Sequence, residues 1–331
     1  MRILKKITSI TLRIGISIIL LIFLFKHVDE KSMFETVKHA NKSFLFLAFI
    51  IFLLGYILCL FRWQMLLRAV KIHLPLKRVI ISFSGGIFFS LFLPSTIGGD
   101  LMRSIDLSTH TKRPEEVIAT VFLDRLSGYI GLVLLALISL LFGWRLVGDK
   151  SVLFSVAIIT ALLIAILLIL FNKFIFARIS KLLHSPDAGK IRELIKNLHE
   201  EIHFFRHHKK VIIYNLIISV IIQAVNPLVF FAISRSLGLK LEMVYFFVFL
   251  PIIGAIALLP ISIGGLGLRD ATTIFFFAKV GVGKDLAFSM SLINFGFILI
   301  GGILGGLIYV FTIRHRRIQH HKTPPLHKAD I

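Results

Sequence analysis

Six stretches of this chain, at about 7–25, 44–61, 117–142, 151–171, 211–232 and 287–312, are apolar without interruption and bounded by charged or aromatic residues. A helix needs about 20 such residues to cross the hydrocarbon layer of a bilayer. In lipid every backbone N–H and C=O must find its partner within the protein, and a helix satisfies its own. The expected fold is therefore an all-α polytopic membrane protein. Hydrophobic residues make up 57% of the 331, enough to supply all six spans.

The distribution of charge orients these spans. The chain carries a formal charge of +21, and 23 of its 38 Lys and Arg residues fall in four places: 2–13, 62–78, 173–210 and from Arg314 onward. The other inter-span segments hold fewer bases, nearly balanced by acids. Basic loops are retained on the cytoplasmic side and meet anionic headgroups there. That places both termini in the cytoplasm, which an even number of crossings satisfies, and makes anionic membrane lipids rather than nucleic acid the expected partner of the excess charge. The N-terminal "MRILKK" precedes an apolar run with no small-residue cleavage pattern, so it is read as a retained first span. The lone Cys59 forms no intramolecular disulfide and is read as an ordinary residue facing lipid or a helix.

Two further apolar regions, 79–100 and 243–280, do not read as uninterrupted spans. They contain near-copies of one phrase, "LPSTIGGDLMRS" at 93–104 and "LPISIGGLGLRD" at 259–270, sharing Leu, Pro, Ile, Gly-Gly and Arg at the same offsets. Pro94 with Gly98 and Gly99, and Pro260 with Gly264 and Gly265, interrupt a helix by removing a donor and loosening the backbone. Irregular backbone at membrane depth survives only beside protein or a watery cavity. Each region is therefore expected to be a re-entrant hairpin, the first entering from the cytoplasm and the second from outside. The whole then reads as about six full spans plus two re-entrant helical hairpins in an inverted-topology repeat. The expected boundaries are 1–172 for the first membrane half, 173–210 for a cytoplasmic amphipathic connector, 211–313 for the second half and 314–331 for a basic disordered tail. Inverted repeats with broken helices are a recurrent plan of secondary transporters, with the site where the broken elements meet.

Charges within or beside apolar regions are the candidate site, since each costs several kcal/mol in lipid unless paired or solvated. They are Asp100, Arg103 and Asp106 after the first Gly-Gly, Arg269 and Asp270 after the second, and Asp124 with Arg125 near the start of the third span. One reading is structural pairing or interfacial anchoring. The other has Arg103 and Arg269 grip a phosphate with forked donors while the carboxylates hold them or bind an amine. Free N–H groups around Gly98, Gly99, Gly264 and Gly265 would add anion-binding capacity. Gln223, Asn226 and Pro227 serve helix packing or line a polar path. "GGILGG" at 301–306 marks close helix packing, either within the chain or against another subunit of a homo-oligomer.

"HEEIH" at 199–203 matches a zinc-protease pattern, with His207 four residues further on. Positions eight apart on a helix are separated by about 12 Å of rise, so one ion cannot be held by all three histidines. A solvated face is the better reading, and no metal or cofactor is expected. No phosphate-binding loop, dinucleotide fingerprint or Ser/His/Asp arrangement stands out.

The succession "LPSTIGGDLMR", "VFLDRLSG" at 121–128 and "LPISIGGLGLRD" resembles the lysylphosphatidylglycerol synthase transmembrane-region family, the flippase-like membrane domain. The resemblance covers nearly the whole chain. It implies a protein that moves or handles phospholipid or lipid-linked substrates in the inner (cytoplasmic) membrane. The residues matching its three motifs are Pro94, Gly98, Gly99, Asp100 and Arg103, then Asp124 and Arg125, then Pro260, Gly264, Gly265, Gly267, Arg269 and Asp270. The family often has Glu where this chain has Asp124 and Asp270, which keeps the charge and shortens its reach. Larger members append an aminoacyl-transferase domain, whereas a short basic tail follows Thr312 here, so the synthase activity is not expected. The leading expectation is a lipid translocase working by alternating access. The alternatives are an intramembrane lipid-modifying transferase, with the carboxylates as acid and base, and a noncatalytic scaffold of cell-envelope biosynthesis.

Overall fold

The computed structural model describes Glu35 and residues 37–92, 97–143, 150–171, 209–257 and 265–322. Among these the chain is entirely helical: α1 Lys42–Ala69, α2 Leu76–Phe92, α3 Ile97–Thr111, α4 Pro114–Gly143, α5 Lys150–Phe171, α6 Lys209–Ser236, α7 Met243–Ala257, α8 Leu268–Ala278 and α9 Lys284–Lys322. Among the described residues four stretches are long and apolar enough to cross a membrane: Lys42–Ala69, Pro114–Phe142, Lys210–Ser236 and Lys284–Thr312. Their outward faces expose large apolar side chains, among them Phe46, Leu54, Phe61, Leu141 and Phe311. A protein surrounded by water rarely shows so continuous an apolar coat.

Each of the five expected spans from 44 to 312 corresponds to a helix. The expected span 7–25, nearly all of the connector 173–210 with "HEEIH", and residues 323–331 lie outside the described residues. Both regions holding the repeated phrase are divided, α2 from α3 and α7 from α8. In the second, positive φ angles at Gly265 (78°) and Gly267 (77°) turn the chain into α8, a conformation open to glycine without steric cost.

Two expectations are corrected. The segment 62–78 is not a solvated loop, because α1 continues to Ala69 and buries Arg62, Trp63 and Gln64, while Arg78 is buried on α2. These bases have protein partners, described below, which replace water. The stretch read as a tail from Arg314 begins as helix, since α9 runs on to Lys322.

α4 is the hub, touching α1, α3, α5, α6 and α7. Other close pairings are α1 with α6, α2 with α3 and with α9, and α7 with α8. Between membrane helices packing replaces the hydrophobic effect as the source of attraction, so small residues that let backbones approach are favoured. The glycine stripe of α9 follows this rule and finds its partners inside the chain. A Cβ on Gly305 would lie 2.8 Å from the Ser84 carbonyl oxygen of α2, and one on Gly306 would lie 2.3 Å from the Phe88 ring. Gly301 faces Tyr56 of α1 in the same way. Gly305→Val is therefore expected to lower stability by about 1–3 kcal/mol through overpacking. Gly296→Ala on the same helix, where an added Cβ meets nothing within 4 Å, is expected to be neutral or stabilising by up to about 1 kcal/mol. Thermal melting in detergent separates the two.

Candidate functional site

The first repeated phrase begins α3, and α3 crosses α2 in backbone contact. A Cβ on Gly99 would lie 1.9 Å from Ser90 Oγ and 2.2 Å from the Gly86 carbonyl oxygen, so only glycine permits the approach. Three residues on from Asp100, one helical turn, Arg103 projects from the same face toward α4. On α4 it meets Asp124, the acid that interrupts an otherwise apolar span.

The charges form one network. Arg62 of α1 donates through Nε to Asp124 Oδ1 at 2.8 Å, and through Nη1 to Ser219 Oγ of α6 at 2.9 Å. Arg103 donates through Nη2 to Asp124 Oδ2 at 2.9 Å and pairs with Asp100 Oδ1 at 2.9 Å. Arg125 donates through Nε to Asp100 Oδ2. Arg62, Arg103 and Asp124 are 5%, 4% and 4% exposed. Removing charges from water is costly, and mutual attraction repays it only where geometry and hydrogen bonding are good. Both carboxylates meet that condition, since every one of their oxygens faces a guanidinium.

Arg103 meets it only in part. Its Nε and Nη1 are buried and have no hydrogen-bond partner. The guanidinium carbon lies 4.7 Å from the centre of the Trp63 ring and 5.9 Å from that of Phe83, and Trp63 donates to Thr120 Oγ1 at 3.3 Å. The aromatic faces attract the cation without accepting its two remaining N–H directions as an oxygen would.

This network lines a cavity of about 480 Å³. Arg62, Arg103 and Arg125 against Asp100 and Asp124 give its wall three positive charges and two negative, a net of one positive. Apolar side chains, including Ile87, Leu91, Leu132, Ile222 and Ile298, complete the wall. The chemistry on offer is charge for an oxyanion together with apolar surface for hydrocarbon.

Of the residues singled out from sequence, Gly99, Asp100, Arg103, Asp124 and Arg125 line this cavity, and Gly98 lies beside them in the first turn of α3. Asp106 is paired elsewhere, with Arg78. Pro94, Pro260 and Gly264 lie outside the described residues. Arg269, Asp270, Gly265 and Gly267 form a separate cluster. Asp270 accepts from the Gly267 backbone N–H at 2.9 Å, from Arg269 Nη2 at 2.9 Å and from Ser291 Oγ. None of the four lines the cavity, so the expected meeting of Arg103 and Arg269 around one ligand does not occur among the described residues. Arg269 is held instead by Asp270, its immediate neighbour, and by Ser291 Oγ of α9. The second half instead contributes Gly254 of α7, with Gln223 of α6, to the cavity wall. Gln223 also donates to the Gly128 carbonyl at 2.8 Å, so it both packs and lines. Cys59, read from sequence as ordinary, is on the wall as well.

Sequence reasoning missed Arg62, Trp63 and Ser219. Arg62 looked like the first base of a loop, and its signal was the Trp-Gln pair after it, amphipathic residues that a solvated loop does not require.

A sequence profile of the family described as lysylphosphatidylglycerol synthase TM region matches residues 10–306. A UPF0104 membrane protein of Pyrococcus horikoshii is 24% identical over 319 residues, covering 88% of this chain and 94% of the relative. One from Methanothermobacter thermautotrophicus is 22% identical over 327 residues, covering 81% and 92%. No solved structure gives a significant match. With all three phrases inside the matched region, the chain belongs to the lysylphosphatidylglycerol synthase transmembrane-region family of multi-pass membrane proteins.

Proposed function

We propose that the protein is a lipid translocase that carries a phosphate-bearing lipid between leaflets, with Arg103 as the headgroup anchor. The observation that carries this reading is Arg103 on the wall of a cavity of net positive charge, with two of its N–H groups buried and unpartnered. A phosphate offers two oxygens in the geometry a guanidinium fork requires. The apolar part of the wall suits acyl chains, and a family of membrane proteins supplies the setting.

The packing pattern supports an inverted repeat. If α1–α2–α3–α4 corresponds to α6–α7–α8–α9, then the α2–α9 contact corresponds to α7–α4, and α3–α4 to α8–α9; all four occur. In this reading α1 and α6, which pack together, lie at the pseudo-twofold axis. The two broken regions are re-entrant hairpins, and rocking of the halves alternates access from the cytoplasmic (inner) membrane's two faces. The first hairpin supplies the anion seat, and Arg269 with Asp270 holds the second hairpin in shape. The transferase alternative gains no support from the site, because Asp100 and Asp124 each direct both oxygens at guanidinium groups rather than at the cavity as an acid or base would.

Headgroup accessibility in vesicles containing labelled phosphatidylglycerol tests the assignment. Arg103→Gln is expected to slow exchange between leaflets about tenfold or more, the loss of a charge-assisted hydrogen bond. Cys59 is the chain's one cysteine, so maleimide labelling in detergent gives a separate reading of occupancy. Phospholipid should protect Cys59 in the wild type and fail to protect it in Arg103→Gln. Exchange at the wild-type rate in that variant overturns the anchor role.

A further inference from the structure

A second cavity, of about 350 Å³, lies between α2, α3 and α9 and shares no lining residue with the first. Its polar end is built from Arg78, Asp106, Thr109, His110 and Tyr309. Arg78 is 6% exposed. Its Nη2 donates to the Asp106 carbonyl oxygen at 3.1 Å and lies 2.8 Å from Asp106 Oδ2, an ion pair in which that buried oxygen accepts no hydrogen bond. Its Nε is buried with no partner. An interior guanidinium tied on one side and unpaired on another calls for an acceptor oxygen. The adjoining wall is apolar and faces outward: Met102 and Ile105 line the cavity, and Ile105 is 52% exposed. Leu101, one helical turn earlier on the same face of α3, is 57% exposed.

The Tyr309 ring is held against Gly85, where a Cβ would lie 2.5 Å from it, and lies edge-on to Phe89 at 5.9 Å. Tyr309 thereby shares the cavity wall with Arg78.

We propose that this pocket is a second phosphate-binding site, occupied by the headgroup of an anionic phospholipid whose chain lies along Met102, Ile105 and Leu101. Arg78 Nε and the Tyr309 hydroxyl donate to the phosphate oxygens, and Asp106 fixes the guanidinium. The ligand chemistry is a phosphate mono- or diester; the outward apolar wall favours one that carries acyl chains. The site stands apart from the central cavity, and its occupancy does not depend on the transport reading.

Native mass spectrometry of the full chain in detergent, titrated with dihexanoyl phosphatidylglycerol, counts the sites. The wild type is expected to bind two lipids saturably. Arg78→Gln should retain one and weaken the other about tenfold, while Arg103→Gln should spare the lipid at Arg78. Two undiminished lipids on Arg78→Gln overturn the proposal. Where Arg78→Gln yields no folded protein, Tyr309→Phe decides, because it keeps the ring on Gly85 and removes only the hydroxyl. A loss of about fivefold at one site is expected, and unchanged binding overturns the assignment. Glycerol phosphate in place of the lipid separates the sources. Much weaker binding supports the lipid, and equal affinity overturns the acyl-chain part. Loss of the central lipid alone in Arg103→Gln, with Arg78 binding intact, keeps the fate of this site distinct from that of the transport reading.

Discussion

Asp124→Ala is expected to destabilise the folded protein by about 3–5 kcal/mol, the cost of leaving buried Arg62 without its counter-ion and Arg103 with Asp100 alone. Asp124 is the carboxylate shared by Arg62 and Arg103, and both arginines lose a partner at once. Asp124→Asn should fare better, since its amide keeps one acceptor oxygen for Arg62 or Arg103. Arg62→Leu combined with Asp124→Leu should cost less than the two single changes added together, because residues in one network couple. Full recovery is not expected, for Arg103 still lacks Asp124. Melting in detergent and yield from membranes measure all five variants, the two single leucine changes included; strict additivity would show that the network does not act as a unit.

Gly99→Ala is expected to cost about 3 kcal/mol by overpacking, and to abolish protection of Cys59 by phospholipid. The added methyl would collide with Ser90 Oγ and with the Gly86 carbonyl. The first obstacle is a side chain and the second is backbone. Ser90→Ala in the Gly99→Ala background should therefore restore part of the stability and no more. Gly254→Ala lines the same cavity but would place its methyl at an ordinary 3.6 Å from Leu132 Cδ1, so it should be tolerated. If melting points of the Gly99→Ala and Gly254→Ala proteins coincide, the backbone contact between α2 and α3 is not what that glycine provides.

The helical spans were legible because an apolar run needs no distant partner to declare itself. Asp124 and Arg125 were legible for the same reason reversed: charge within such a run is conspicuous. Arg62 and Arg78 were not, because they stand among other bases, and a primary sequence gives no indication that the acid answering Arg62 lies 62 positions away. The twin phrases misled in one respect. Their shared Pro, Gly-Gly and Arg suggested equal duties, yet the acid precedes Arg103 by one helical turn and follows Arg269 immediately. In the first copy the carboxylate is shared with Arg125, and Arg103 keeps donors free. In the second, one neighbour neutralises the arginine. The glycines diverge as well: Gly99 admits a crossing helix, while Gly265 and Gly267 make a turn.

The network also bears on how such a chain is made. Arg62, Asp100, Arg103, Asp124 and Arg125 are all synthesised before α4 is complete, and Ser219 alone among the partners comes later. A lone charge at mid-helix costs about 2.5–3.5 kcal/mol on entering the bilayer. Here Asp124 emerges from the ribosome with both of its bases, Arg62 and Arg103, already translated, and Asp100 is followed by its own, Arg103 and Arg125, before α4 is complete. The early segments can thus enter the lipid as a mutually neutralising set, and the α6 hydroxyl joins a charge arrangement that has already been settled.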